Sequence, residues 1–200
     1  MTNMIFKFKI KYMKKIILAS SSPRRKEILA MCGLDFDVMP SDCDENIRAD
    51  SPEELVLKLS QLKCSDVAGR AQKDRLVVGA DTIVVFEGLI LGKPADGADA
   101  FRMLRALSGN THTVYTGVSI KDTDTGKNIS FYEQTDVTMY GVPDEILRRY
   151  IETGEPMDKA GAYGIQGKGA FLVKKIDGDF YTVMGFPISH FISTLYDEFR

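Results

Sequence analysis

The chain reads as an α/β domain, and three stretches carry that reading. Lys15-Ile16-Ile17-Leu18-Ala19 is a short apolar run suited to a buried strand, and it leads through Ser20-Ser21-Ser22-Pro23-Arg24-Arg25 into a helix-forming segment ending near Cys32. Residues 76–86 are apolar on both sides of Gly79-Ala80-Asp81-Thr82, the pattern of a central strand covered on both faces. Residues 111–120 and 130–139 alternate around Asp124-Thr125-Gly126 as a long hairpin. Strands interleaved with helices in this way make an α/β chain.

Composition narrows the partners. With 44% hydrophobic and 27% charged residues, the chain fits one globular domain, or two lobes sharing a core. A net charge of −2 exerts no general attraction on nucleic acid, so small anions remain the plausible charged ligands. Cys32, Cys43 and Cys64 show no metal-binding or redox spacing, which implies a reduced, cytoplasmic setting with idle or buried sulfurs. His112 and His190 are too few for a multi-histidine metal site, so any metal is hard and oxygen-bound. Residues 1–13 alternate apolar and lysine residues without a signal-peptide core and read as an N-terminal extension, with Met13 a plausible natural start. Residues 14–200 then form the single domain. No apolar run is long enough to span a membrane.

Each element has its own local signal. For the first helix, Ser22 is placed to cap, Pro23 sits at the first helical position and Gly33 stops the chain. Residues 35–40 alternate as a short strand, followed by the acidic loop Ser41-Asp42-Cys43-Asp44-Glu45-Asn46. Ser51-Pro52-Glu53-Glu54 opens a helix to about Ala68, with Leu55, Leu59, Leu62 and Val67 toward the core and Lys58 and Lys63 toward solvent. Glu87-Gly88 turns the chain so that residues 89–91 return toward Lys93. Asp96 caps a helix over residues 97–107 that buries Phe101, Leu104 and Leu107 and ends at Gly109. A short helix over residues 143–151 ends at Gly154. Residues 171–176 and 180–184 flank Asp177-Gly178 as a second hairpin, and a last helix follows Pro187.

The chemistry concentrates in four places. A strand entering a hydroxyl-rich turn and then a helix aims free N–H groups and the positive helix end at one spot, which suits an anion. An ordinary surface helix would carry a serine and two arginines as well. This turn is not a Walker loop: the nearest match, Gly88 to Pro94, has short glycine spacing and proline in place of the hydroxyl. Asp81, in the middle of an apolar strand, is costly to bury unless it meets a cation or a metal; the alternative is a structural carboxylate bonded to backbone N–H groups. Lys93 follows a return strand that brings it to the same end. In residues 155–169, glycines permit close approach of backbone to a ligand, while Asp158, Lys159, Tyr163 and Gln166 offer polar and aromatic contacts. His112 reads as a hydrogen-bonded strand histidine. Together these features suit phosphoanhydride hydrolysis of a nucleotide, where positioning and charge neutralisation supply most of the catalysis.

On these motifs, Ser20 to Arg25, Gly79 to Thr82, Gly92-Lys93-Pro94, Leu107-Ser108-Gly109 with His112, and Asp158 to Gly167, the chain resembles the Maf family of nucleoside triphosphate pyrophosphatases across residues 14–197. The resemblance implies a two-lobed α/β fold around an elongated mixed sheet, similar to the inosine triphosphate pyrophosphatases, with the active cleft between lobes and a homodimeric assembly. It also implies hydrolysis of a nucleoside triphosphate to the monophosphate and pyrophosphate with Mg²⁺ or Mn²⁺. In that case Asp81 is the proton acceptor, Ser20, Arg25, Lys63 and Lys93 hold phosphates, and Glu45 lies with Asp81 at the metal. Arg24, Thr82 and Gln166 match positions tied to base choice. The form of residues 158–167 resembles the dTTP and UTP subgroup. A nucleotide-binding regulator of cell division with little turnover, or a pyrophosphatase acting mainly on modified nucleotides, would present the same motifs.

Overall fold

The structure is a computed structural model that describes residues 14–199; the expectations for residues 1–13 fall outside it. Along the chain run β1 (Lys15–Leu18), α1 (Pro23–Met31), β2 (Phe36–Val38), α2 (Pro52–Arg70), β3 (Arg75–Phe86), β4 (Leu89–Leu91) and α3 (Gly97–Leu107). Then come β5 (Thr111–Asp122), β6 (Asn128–Met139), α4 (Asp144–Glu152), three short 3-10 turns, β7 (Val173–Asp177), α5 (Phe180–Met184) and α6 (Ile188–Glu198). The strands form one seven-stranded sheet in the order β2-β1-β3-β5-β6-β7, with β4 on β3. β2, β1 and β3 are parallel and the remaining pairs antiparallel, so the sheet is mixed.

The edge of β3 facing β1 decides where a site can form. β1 covers it only as far as the pair Leu18 and Val78, and β4 takes over only from Val84 and Leu91. Among the described residues, no strand pairs with residues 79–83 on that side. The opposite edge is paired along its length with β5, which sets Asp81 against Gly117 and Thr82 against Thr116.

Two large apolar cores flank this gap, matching the expected two lobes. In the first, Ile28 and Leu29 of α1, Met184 of α5 and Phe191 and Leu195 of α6 pack on Leu18, Val78, Ala80 and Ile120. In the second, Leu104 and Leu107 of α3, Leu147 of α4, Ala162 and Tyr163 pack on Val84, Val114 and Val137. On the sheet face opposite the first core, α2 packs Cys64 and Val67 on Ile17, Ala19 and Val77. It sits at backbone distance: a Cβ on Gly79 would lie 2.3 Å from the Ser60 carbonyl oxygen, and one on Gly117 2.3 Å from that of Val56.

Several expectations need correction. Residues 180–184 are helical and not a hairpin strand, because the Asp179 carboxylate accepts from the Thr182 N–H (2.7 Å) and Gly185 at φ 101° ends the turn left-handed. β7 pairs instead with β6. Ser22 makes no side-chain cap; its N–H donates to Ser20 Oγ at 3.2 Å, and Pro23 alone marks the helix start. α2 runs on through Gly69 to Arg70 and buries Val56, Leu59, Ser60, Cys64 and Val67, leaving Leu55 and Leu62 half-buried. α3 buries Ala100 and Met103 with Leu104 and Leu107, while Phe101 is half-buried. Of the cysteines, all free, Cys64 is buried with its thiol pushed up to about 11 by burial, whereas Cys32 is exposed.

Candidate active site

The uncovered stretch of β3 opens into a cavity of about 600 Å³ between the two cores. Its position beyond the carboxyl end of β1 is where α/β sheets place ligands, because adjoining connections diverge there and leave a crevice. Ser20, Arg24 and Arg25 line it from the turn into α1, Lys63 and Asp81 from its buried side with the exposed Glu45 beside them, and Thr82, Lys93 and Gln166 line it as well, whereas His112 does not.

The turn into α1 is braced across the fold. Arg25 Nε donates to the Gly185 carbonyl (2.8 Å), Nη1 to Ser20 Oγ (3.0 Å) and Nη2 to Thr82 Oγ1 (3.2 Å). Burial pulls its guanidinium below the usual range while the nearby Asp81 and Glu45 charges oppose that pull; an arginine so placed stays charged. Ser20 Oγ accepts from both the Ser22 N–H and Arg25, so its own O–H is what remains to donate to a ligand. Thr82 Oγ1 also meets Thr116 Oγ1 at 2.9 Å, which ties β3 to β5 behind the turn.

Asp81 is buried at 9% exposure and its Oδ1 accepts from Lys63 Nζ at 2.6 Å. The same ammonium lies 2.8 Å from Glu45 Oε2. Lys63 therefore does not point to solvent as its position off a Leu55-Leu59-Leu62 stripe predicts. The buried stripe of α2 is rotated: Val56, Ser60, Cys64 and Val67 face the sheet, and Lys63, between Ser60 and Cys64, shares that side at its cavity end. The small residues Ser60 and Gly79 were the available signal, because a helix packs backbone to backbone only where side chains are absent. Asp81 is thus a carboxylate paired with a cation, and the alternative of backbone N–H partners does not hold.

The oxygens Asp81 Oδ2 and Glu45 Oε1 make no hydrogen bond among the described residues. Hard donors of this kind fit a divalent cation that takes one or two protein carboxylates and completes its shell with phosphate oxygens and water. Among the described residues there is no group of three or more His, Cys, Asp or Glu that could hold a metal unaided.

At the rim, Lys93 is exposed and, among the described residues, forms no ion pair, and Gln166 is likewise exposed. Arg24 Nη1 reaches across the mouth to Asp158 Oδ2 at 3.1 Å, and Lys159 Nζ meets Asp158 Oδ1 at 2.7 Å. Burial alone would raise the Asp158 carboxyl; its bonds to Lys159 and Arg24 outweigh this and hold it below the ordinary range. Sequence reasoning assigned no partner to Asp158 or to His112, whose Nε2 lies 2.8 Å from the Tyr163 hydroxyl. Around the whole cavity, Arg24, Arg25, Lys63, Lys93 and Lys159 outnumber Glu45, Asp81 and Asp158, so the site carries an excess of positive charge facing a tethered carboxylate.

The chain is similar to several known proteins. The dTTP/UTP pyrophosphatase of a Bacillus cereus strain is 50% identical over 184 residues, covering 92% of this chain and 89% of the relative. That of Bacillus anthracis is 50% identical over the same share of this chain and 95% of its own. Among solved structures, the Staphylococcus aureus Ham1 protein aligns with 63% of this chain and 72% of its own at a TM-score of 0.43 and 15% identity. Residues 15–198 match the Maf-like protein family as a whole, so the cavity on the open edge of β3 belongs to a chain that is a member of that family.

Proposed function

We propose that this protein hydrolyses dTTP and UTP to the nucleoside monophosphate and pyrophosphate. The observation that carries the reading is Asp81, buried on the open edge of β3 and ion-paired to Lys63, in one cavity with the cationic turn into α1. Relatives at 50% identity are named dTTP/UTP pyrophosphatases, which supports the substrate. Arg25, Ser20, Lys63 and Lys93 neutralise and fix the phosphates, leaving the α-phosphorus accessible to water. Asp81 orients that water and accepts its proton as the bond to the pyrophosphate leaving group breaks. Glu45 and Asp81 would hold Mg²⁺ or Mn²⁺, which adds charge neutralisation at the phosphates. Arg24, Thr82 and Gln166 contribute to the choice of base, the amide of Gln166 being matched to the Watson–Crick edge of a pyrimidine. A cytoplasmic homodimer is part of the same proposal, and sedimentation of the purified protein tests the assembly.

The experiment is pyrophosphate release from dTTP and UTP with Mg²⁺ or Mn²⁺, set beside Asp81→Asn. Turnover in the wild type and none in the variant supports the reading. Tight binding of dTTP without turnover in the wild type favours a nucleotide-binding regulator. Faster turnover of modified than of canonical triphosphates would shift the substrate and leave the reaction intact.

A further inference from the structure

The wall of the cavity that carries Gln166 is built from irregular backbone, and its fixation is unusual. Residues 160–162 make a tight turn in which both Gly161 (φ 69°) and Ala162 (φ 59°) are left-handed, and Ala162 is fully buried. A left-handed alanine is strained and persists only where its surroundings over-determine it. Three hydrogen bonds do so here. Gly161 N–H donates to the Gly92 carbonyl (3.1 Å), Gly164 N–H donates to the Tyr150 hydroxyl (3.1 Å), and the Tyr163 hydroxyl meets His112 Nε2 on β5 (2.8 Å).

The third tether is the anomalous one. His112 is 2% exposed and Tyr163 5%, and His112 Nδ1 is the buried side-chain polar atom left without any partner among the described residues. Either tautomer satisfies Nε2 and abandons Nδ1. A leucine facing a phenylalanine would fill this core without an orphaned nitrogen, since replacing both partners of a buried hydrogen bond with apolar groups is close to neutral or stabilising. A polar pair that works against stability, and holds a strained segment on the wall of a ligand cavity, indicates a role in placing that wall.

We propose that His112, acting through the Tyr163 hydroxyl, is a positioning residue that fixes the base-facing wall from Lys159 to Gln166 and thereby sets the preference for thymine and uracil. This inference rests on the pyrophosphatase reading above. The phosphate-holding and proton-accepting groups stand on α1, α2, β3 and the segment after β4; that last segment touches the turn through the Gly92 carbonyl, a bond separate from the His112 tether. Losing it therefore relaxes base discrimination and leaves the chemistry of the phosphates in place.

The test compares wild type, Tyr163→Phe, the double variant His112→Leu with Tyr163→Phe, and His112→Gln, whose amide reaches the place of Nε2. Steady-state constants are measured on dTTP and dCTP, with inhibition by inorganic pyrophosphate and thermal unfolding as controls. The expected result is that Tyr163→Phe and the double variant lose about tenfold in the ratio of kcat/KM for dTTP over dCTP, mostly through KM for dTTP. Inhibition by pyrophosphate is unchanged, the double variant unfolds at or above the wild-type temperature, and His112→Gln restores most of the preference. An unchanged ratio in the double variant overturns the inference. So does a loss of preference in His112→Gln as large as in the double variant, or a ratio that falls only in step with the melting temperature. Wild-type protein that turns over no nucleotide would remove the pyrophosphatase reading and this inference with it, whereas normal turnover with an unaltered ratio removes the inference alone.

Discussion

The two walls of the cavity are made in opposite ways. The wall around Ser20, Arg25, Lys63 and Asp81 stands on regular elements, with the charged groups at the start of α1, on one side of α2 and in the middle of β3. The facing wall, residues 155–169, has three short 3-10 turns and depends on side chains from elsewhere. Glu155 accepts from the Lys168 N–H, the Gly169 N–H and the Tyr150 hydroxyl, and His112 holds Tyr163. One wall gets its geometry from secondary structure, which is stiff and tolerant of local change. The other gets it from buried hydrogen bonds, which are specific and fail when one partner is lost. The division suits a hydrolase that treats every triphosphate tail alike and distinguishes the bases attached to it.

If that contrast holds, substitutions on the two walls give different signatures. The largest effect belongs to Asp81→Asn: turnover of dTTP falls by about a thousandfold or more with the melting temperature nearly unchanged, which steady-state kinetics and calorimetry check. Next comes pH. Burial pushes His112 down to about 4, against the opposing charge of Asp136. Since the folded value lies below the unfolded value of about 6.5, the unfolded chain binds the proton first as pH falls. Stability is complete above about 6.5 and is lost progressively toward about 4, by about 3 kcal/mol, and urea midpoints for His112→Gln should lack that decline. Third, Glu155→Ala leaves the two N–H groups and the Tyr150 hydroxyl without their acceptor. It lowers stability by about 2 kcal/mol in urea unfolding and loosens substrate preference, with kcat on the best substrate changed less than tenfold. The smallest effect is that of Asp158→Asn, which breaks the Arg24 link across the mouth; its exposed carboxylate makes the stability change smaller than about 1 kcal/mol, and added salt mimics it.

The same contrast explains what could be read without coordinates. Pro23 marked α1, Asp96 capped α3 through the Asp99 N–H, and the alternating runs gave β5 and β6, because these signals act over a few residues. The residues 180–184, Phe-Tyr-Thr-Val-Met, have strand-prone side chains, and a cap from Asp179 with a left-handed Gly185 overrode that propensity. Periodicity alone misplaces Lys63 because the α2 stripe is set by where Gly79 and Gly117 allow the helix to approach, a fact about the sheet and not about the helix. The glycine density of residues 155–169 points to a segment that does line the cavity. Its tethers stayed hidden, since Tyr163 and His112 lie 51 positions apart and nothing local links them.

Hydrolysis of dTTP in ¹⁸O-labelled water tests most directly whether the cavity presents the α-phosphorus to a water held by Asp81. Mass spectrometry should find the label in dTMP, with unlabelled pyrophosphate and no labelled product from Asp81→Asn. Label recovered in pyrophosphate with unlabelled dTMP would mean attack at the β-phosphorus, and the arrangement of Asp81, Lys63 and the α1 turn described above could not be the machinery that directs it.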